Sequence, residues 1–160
     1  MAGRFPTIAH ALAALLALSA CDGYPRDADD MTARAAERGM RVGASHDPPW
    51  LLVGADGTVG GPEAALVQRF ADARGYTLTW VPGSHDALMR DLARARLHAV
   101  AGGHHPDSPW RPEVAWSQPL ALRAARGEGP MPERRIALPP GQPAWHLAFD
   151  RHLAASRARP

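Results

Sequence analysis

From Met40 onward, short apolar segments alternate with longer amphipathic ones, and this alternation restricts the chain to an α/β sheet with crossover connections. Arg41 to Ser45 reads as the first strand, ended by Asp47-Pro48-Pro49, where prolines cannot continue a central ladder. Leu51 to Val53 and Thr58-Val59 flank Ala55-Asp56-Gly57, a tight hairpin turn. Pro62 suits a helix start, and Ala64 to Arg74 carries Leu66, Val67, Phe70 and Ala71 on one stripe before Gly75 closes the helix. Thr77 to Val81 is strand-like by its β-branched and aromatic content, and Ser84 caps a second helix running through about Arg96. His98 to Ala101, Val114 to Trp116 and Ile136 to Leu138 read as further strands. A last helix from Pro143 to Ala155 puts Trp145, Ala148, Phe149 and Leu153 on one face.

The length of 160 residues allows one domain with a core large enough to need no staples. The 18 basic residues, all Arg, are interspersed with 16 acidic ones for a net charge of +2, which is not the clustered footprint of a nucleic-acid binder.

Residues 1–20 read as an export signal: Arg4 supplies the positive start, Ile8 to Leu18 the apolar stretch, and small residues follow. The ending Leu18-Ser19-Ala20-Cys21 resembles the bacterial lipobox, which implies cleavage before Cys21, acylation of that cysteine and anchoring by several acyl chains. The alternative is an ordinary secretory signal with an incidental cysteine. Asp22 resembles the signal that retains enteric lipoproteins in the inner membrane. The expected organisation is a signal peptide over 1–20, a lipidated Cys21 with a tether over 21–39, and a lobe over 40–160 on the periplasmic side of a bacterial membrane.

Five features in order resemble the bacterial family 3 solute-binding proteins, the amino-acid-type receptors of ABC importers. They are Met40 to Gly43, Asp47-Pro48-Pro49-Trp50, Asp56-Gly57 with Gly61-Pro62-Glu63, Leu97 to Gly103, and Trp116-Ser117-Gln118-Pro119-Leu120. The resemblance implies an α/β fold, a single lobe of the type 2 periplasmic-binding-protein kind, with a mostly parallel sheet flanked by helices. Family members carry a second lobe after the fifth feature. Here residues 121–133 have linker composition, and Arg134 to Leu153 resembles the returning strand and helix, so the second lobe is expected to be missing and the half-site to bind weakly.

The same resemblance nominates ligand-binding residues. Trp50 matches an aromatic that lines the cleft, or else is a core or edge aromatic. Glu63 matches an acidic position near the cleft, although an acid at a helix start is also favoured by the dipole. Gly102 and Gly103 bring backbone close to a ligand or simply make a tight turn. The arginine that forks onto an α-carboxylate in the family falls here on Trp110, with Arg111 beside it, so the role passes to Arg111 by a one-residue shift or is lost. Ser45 and His46 leave the first strand at its carboxyl end, where open α/β sheets place ligands.

His104, His105 and Asp107, with His46-Asp47, raise a metal site, but adjacent histidines rarely share one ion and no metalloenzyme spacing is present, so no metal and no cofactor is expected. The chain offers no nucleophile motif and no phosphate loop, and is not expected to be an enzyme. The leading expectation is a lipid-anchored binder of a small polar solute such as an amino acid, serving an ABC permease. The alternatives are an envelope interaction scaffold that has lost solute binding, and a metal-binding envelope protein.

Overall fold

The computed structural model describes residues 25–104, 107–120, 122 and 133–157. The export signal, Cys21 and most of the expected linker lie outside the described residues.

The elements are α1 (Met31–Arg38), β1 (Met40–Ala44), β2 (Leu52–Val53), β3 (Val59–Gly60), α2 (Pro62–Arg74), β4 (Leu78–Pro82), α3 (His85–Ala93), β5 (Ala99–Ala101), β6 (Ala115–Trp116), β7 (Ala137–Leu138) and α4 (Pro143–Arg157). Five strands form one sheet in the order β4-β1-β5-β7-β6, and β2 and β3 form a separate hairpin. β4, β1 and β5 pair in parallel; β7 is antiparallel to β5, and β6 is antiparallel to β7. Within this sheet every strand except β7 therefore points the same way, so the sheet is mostly parallel as expected.

Strand side chains alternate between faces, and the two faces are covered by different helices. Met40, Val42, Ala44, Ala99, Ala101 and Leu138 pack with α1, α2 and α4. Val100 and Ala137 pack with Leu88, Met89 and Leu92 of α3. Gly43 belongs to that second face: a Cβ there would come within 3.0 Å of Val100 and 3.1 Å of Leu88 and Leu97, so the missing side chain is what lets α3 close on the sheet. On the first face Phe70 of α2 meets Trp145 at 5.4 Å and Phe149 at 4.8 Å, and Tyr76 stacks on Trp145 at 5.9 Å. This aromatic block docks the C-terminal helix onto the lobe.

The tether expected over 21–39 gives way, from Met31, to helix α1. Met31 and Ala35 lie one turn apart and are fully buried in the core. The Arg34 guanidinium donates to the Ala95 carbonyl at 2.9 Å. Asp27 accepts from the Thr32 and Trp145 backbone N–H groups, each at 2.9 Å, tying the start of α1 to the start of α4. The helix expected through Arg96 ends at Ala93, because Ala95 takes a positive φ of 53° that an α-helix cannot pass through.

His98 is buried beside Trp145, where the indole N–H donates to its carbonyl at 2.7 Å. Its Nδ1 accepts the Arg41 backbone N–H at 3.0 Å, which puts the ring proton on a buried Nε2 without a hydrogen-bond partner among the described residues. Burial, reinforced by the Arg34 charge, pushes its pKa down from 6.5 to about 4. The unfolded chain then binds more protons than the folded one between those values. Stability therefore falls as pH drops below about 6.5, by about 1.4 kcal/mol per unit, and levels near pH 4. Urea midpoints at pH 4.5 and 7.5 should differ less in His98→Asn than in the parent; an unchanged difference would remove His98 as the cause.

Candidate functional site

The chain places β4 on one flank of β1 and then crosses over to place β5 on the other. Such a switch point opens a crevice beyond the carboxyl ends of the two strands. Ser45 and Asp47 follow β1 there, and Gly102 and Gly103 follow β5. The Ser45 N–H donates to the Ala101 carbonyl at 3.0 Å, extending the pairing of the two strands to the mouth of the crevice.

Two carboxylates and one guanidinium organise this mouth. Glu63, at the start of α2 and fully buried, accepts the Gly102 N–H at 2.8 Å. Asp47 accepts the Gly103 N–H at 2.8 Å. Arg134, three residues before the start of β7 and only 8% exposed, donates through Nε to Glu63 and through a terminal nitrogen to Asp47. Its guanidinium carbon lies 5.3 Å from the centroid of the Trp50 ring, a cation–π contact. The Glu63 N–H in turn donates to the Trp50 carbonyl at 3.1 Å. A fork of donors held between two carboxylates is the geometry for which arginine, rather than lysine, is suited.

The two acids respond differently to this setting. Burial raises the Glu63 pKa above the usual carboxylate value, and Arg134 and the Gly102 N–H offset only part of that. Burial acts on Asp47 in the same sense, but the Gly103 N–H and the Arg134 hydrogen bond and charge more than offset it, leaving its pKa lowered. Asp47 is thus the more acidic of the two carboxylates, and it stands at the open side of the mouth.

The structure brings Trp50, Glu63, Gly102 and Gly103 together and leaves Trp110 and Arg111 outside their network. The indole N–H of Trp110 donates to Asp86 at 3.2 Å, and the ring packs against the core beneath α3. Arg111 is exposed, and among the described residues its guanidinium makes no hydrogen bond or ion pair. Gly102 and Gly103, expected to bring the backbone close to a ligand or to make a tight turn, give their N–H groups to Glu63 and Asp47. Sequence reasoning missed Arg134 and the role of Asp47. The available signal was the Arg134-Arg135 pair just before the returning strand, but nothing local links it to Glu63.

His104 follows the glycine pair and is buried, with Nε2 2.7 Å from the Val100 carbonyl. Burial, together with the nearby His85 and Arg134, pushes its pKa down to about 3. His46 is occupied otherwise: its Nδ1 accepts the Val53 N–H at 3.0 Å. Among the described residues no group of three or more His, Cys, Asp or Glu is placed to hold a metal, and His105 lies outside them. No helix among the described residues is long and apolar enough to cross a membrane.

A mostly parallel sheet with helices on both faces and its polar constellation at a switch point is the architecture of a single lobe of a periplasmic-binding-protein fold. Comparison with solved structures agrees. Arginine-bound domain 1 of TmArgBP, in a point-mutant form, superposes with a TM-score of 0.66 at 24% identity, covering 78% of this chain and 97% of that domain. The same domain without that mutation gives 0.63 at 22% identity, covering 76% and 97%. A mutant of ArgBP from T. maritima gives 0.50 at 26% identity, covering 56% of this chain but only 40% of that one. No protein-family model matches the chain. Among curated proteins, membrane-bound lytic murein transglycosylase F of Thiobacillus denitrificans is 33% identical over 101 residues. That match spans 62% of this chain and 19% of the relative's length.

Proposed function

We propose that the chain is a solute-binding lobe that takes a small polar solute of amino-acid type at the carboxyl ends of β1 and β5. In this reading it acts in the periplasm, is held to the membrane through an acylated Cys21, delivers to an ABC permease and catalyses nothing itself. The observation that carries it is the mouth built from Ser45, Asp47, Trp50 and Gly103, on a lobe that superposes with nearly the whole of an isolated domain whose structure is arginine-bound.

Asp47 supplies a charged acceptor at the rim, and Trp50 supplies an aromatic surface whose position is fixed by Arg134. Both are pre-ordered, which lowers the entropy cost of binding. One lobe covers only one side of a small ligand, so the expected affinity is weak unless another wall is supplied. A thermal-shift screen of amino acids, polyamines and small organic acids should give a saturable rise for at least one compound, because a ligand of the folded state alone stabilises it. The rise should vanish in Trp50→Ala.

A second reading is favoured by Trp110 and Arg111, neither of which stands where a solute carboxylate would meet the glycine pair. In that reading the lobe is an envelope interaction module. The partial match to a lytic transglycosylase is consistent with such a module beside an enzyme. A stable fold that no compound shifts, together with a copurifying membrane partner, would select it.

A further inference from the structure

We infer that His85 and His104 form a two-imidazole site for a single late first-row metal ion, Zn(II) or Cu(I), on the α3 side of the crevice. His104 is held as a ligand usually is. Its Nε2 hydrogen-bonds the Val100 carbonyl at 2.7 Å, which fixes the ring and, with the proton on Nε2, leaves Nδ1 as a bare lone pair. That Nδ1 is buried and has no hydrogen-bond partner among the described residues, and the same is true of Nδ1 in His85. An unsatisfied buried polar nitrogen costs on the order of 1–3 kcal/mol, so two on neighbouring rings call for a shared partner.

The spacing suits an ion. The ring centroids are 5.2 Å apart, with planes inclined at 60°. With metal–nitrogen bonds of about 2.0–2.1 Å, two imidazoles on one ion stand roughly 5 to 6 Å apart. The space over Gly103 is part of the same site: a Cβ built there would lie 3.0 Å from His85 Nδ1 and 3.3 Å from Ser45 Oγ. Trp116 closes the other side of His104, edge-on at 5.1 Å. Imidazole donors favour zinc or copper over the oxygen-seeking ions magnesium and calcium. Water or the Ser45 hydroxyl would complete the coordination.

The test is a titration of the full chain, without an affinity tag, with Zn(II) and separately with Cu(I) under reductant, followed by calorimetry and elemental analysis. One ion per chain is expected, with affinity reduced at least about tenfold in His85→Gln and in His104→Phe, the scale associated with disturbing a metal site. His104→Phe keeps an aromatic ring against Trp116, and His85→Gln sits at a helix start, so both should fold; circular dichroism checks this. His46→Phe, in which the exposed histidine that follows β1 is removed, should bind as the parent does. Absence of saturable binding, or binding retained in both site variants, would overturn the inference.

Discussion

Arg134→Met is expected to destabilise the lobe by about 3–5 kcal/mol, the cost of leaving a buried charge without its partner. Glu63 is fully buried and depends on Arg134 for its counter-charge, with the Gly102 N–H as its other donor. Asp47 is less exposed to this loss, because it borders solvent and can be hydrated. The effect should be concentrated on Glu63, which gives a second measurement. In Arg134→Met combined with Glu63→Gln, the side-chain oxygen still accepts the Gly102 N–H but no charge is stranded, and about half of the lost stability should return in urea unfolding. Equal destabilisation of the single and double variants would mean that Arg134 acts by packing on Trp50 alone.

Gly102→Ala is expected to cost roughly 3–5 kcal/mol, combining left-handed backbone strain with overpacking. Gly102 has φ +83°, and a Cβ there would lie 2.0 Å from the Ser45 carbonyl oxygen and 2.9 Å from Leu51. Neither neighbour has room to retreat: Ser45 is paired to Ala101, and Leu51 is fully buried. Gly57 separates the two contributions. It has φ +81° at the hairpin turn with nothing within 4 Å of a Cβ, so Gly57→Ala should cost only the backbone share, about 1 kcal/mol. Similar losses at the two positions, read from urea midpoints, would contradict the steric origin.

The class of fold is legible in the sequence because its strands and helices bury opposite periodicities. Thr77 to Val81 and Ala64 to Arg74 could hardly exchange roles, and Pro62 and Gly75 mark the ends of α2 where the structure has them. Helix α1 is less legible, since its core contribution is just Met31 and Ala35 in a polar stretch. The site divides the same way. Trp50, Glu63 and the glycine pair fall within short recognisable segments. Arg134 is 71 positions from Glu63 and 87 from Asp47, and only the return of the chain along β7 brings it over Trp50. The glycines illustrate a further limit. Their freedom from side chains could be read from sequence, but whether their N–H groups faced a ligand or the protein's own carboxylates depended on the fold.

The most direct test of the central claim, that the mouth beyond β1 and β5 is a solute half-site, is heteronuclear NMR of the chain titrated with arginine and then with other amino acids. A saturable set of shifts confined to the Ser45 and Gly103 amides and the Trp50 indole, at millimolar ligand, is the result expected. A well-dispersed spectrum in which those signals stay fixed for every compound would contradict it.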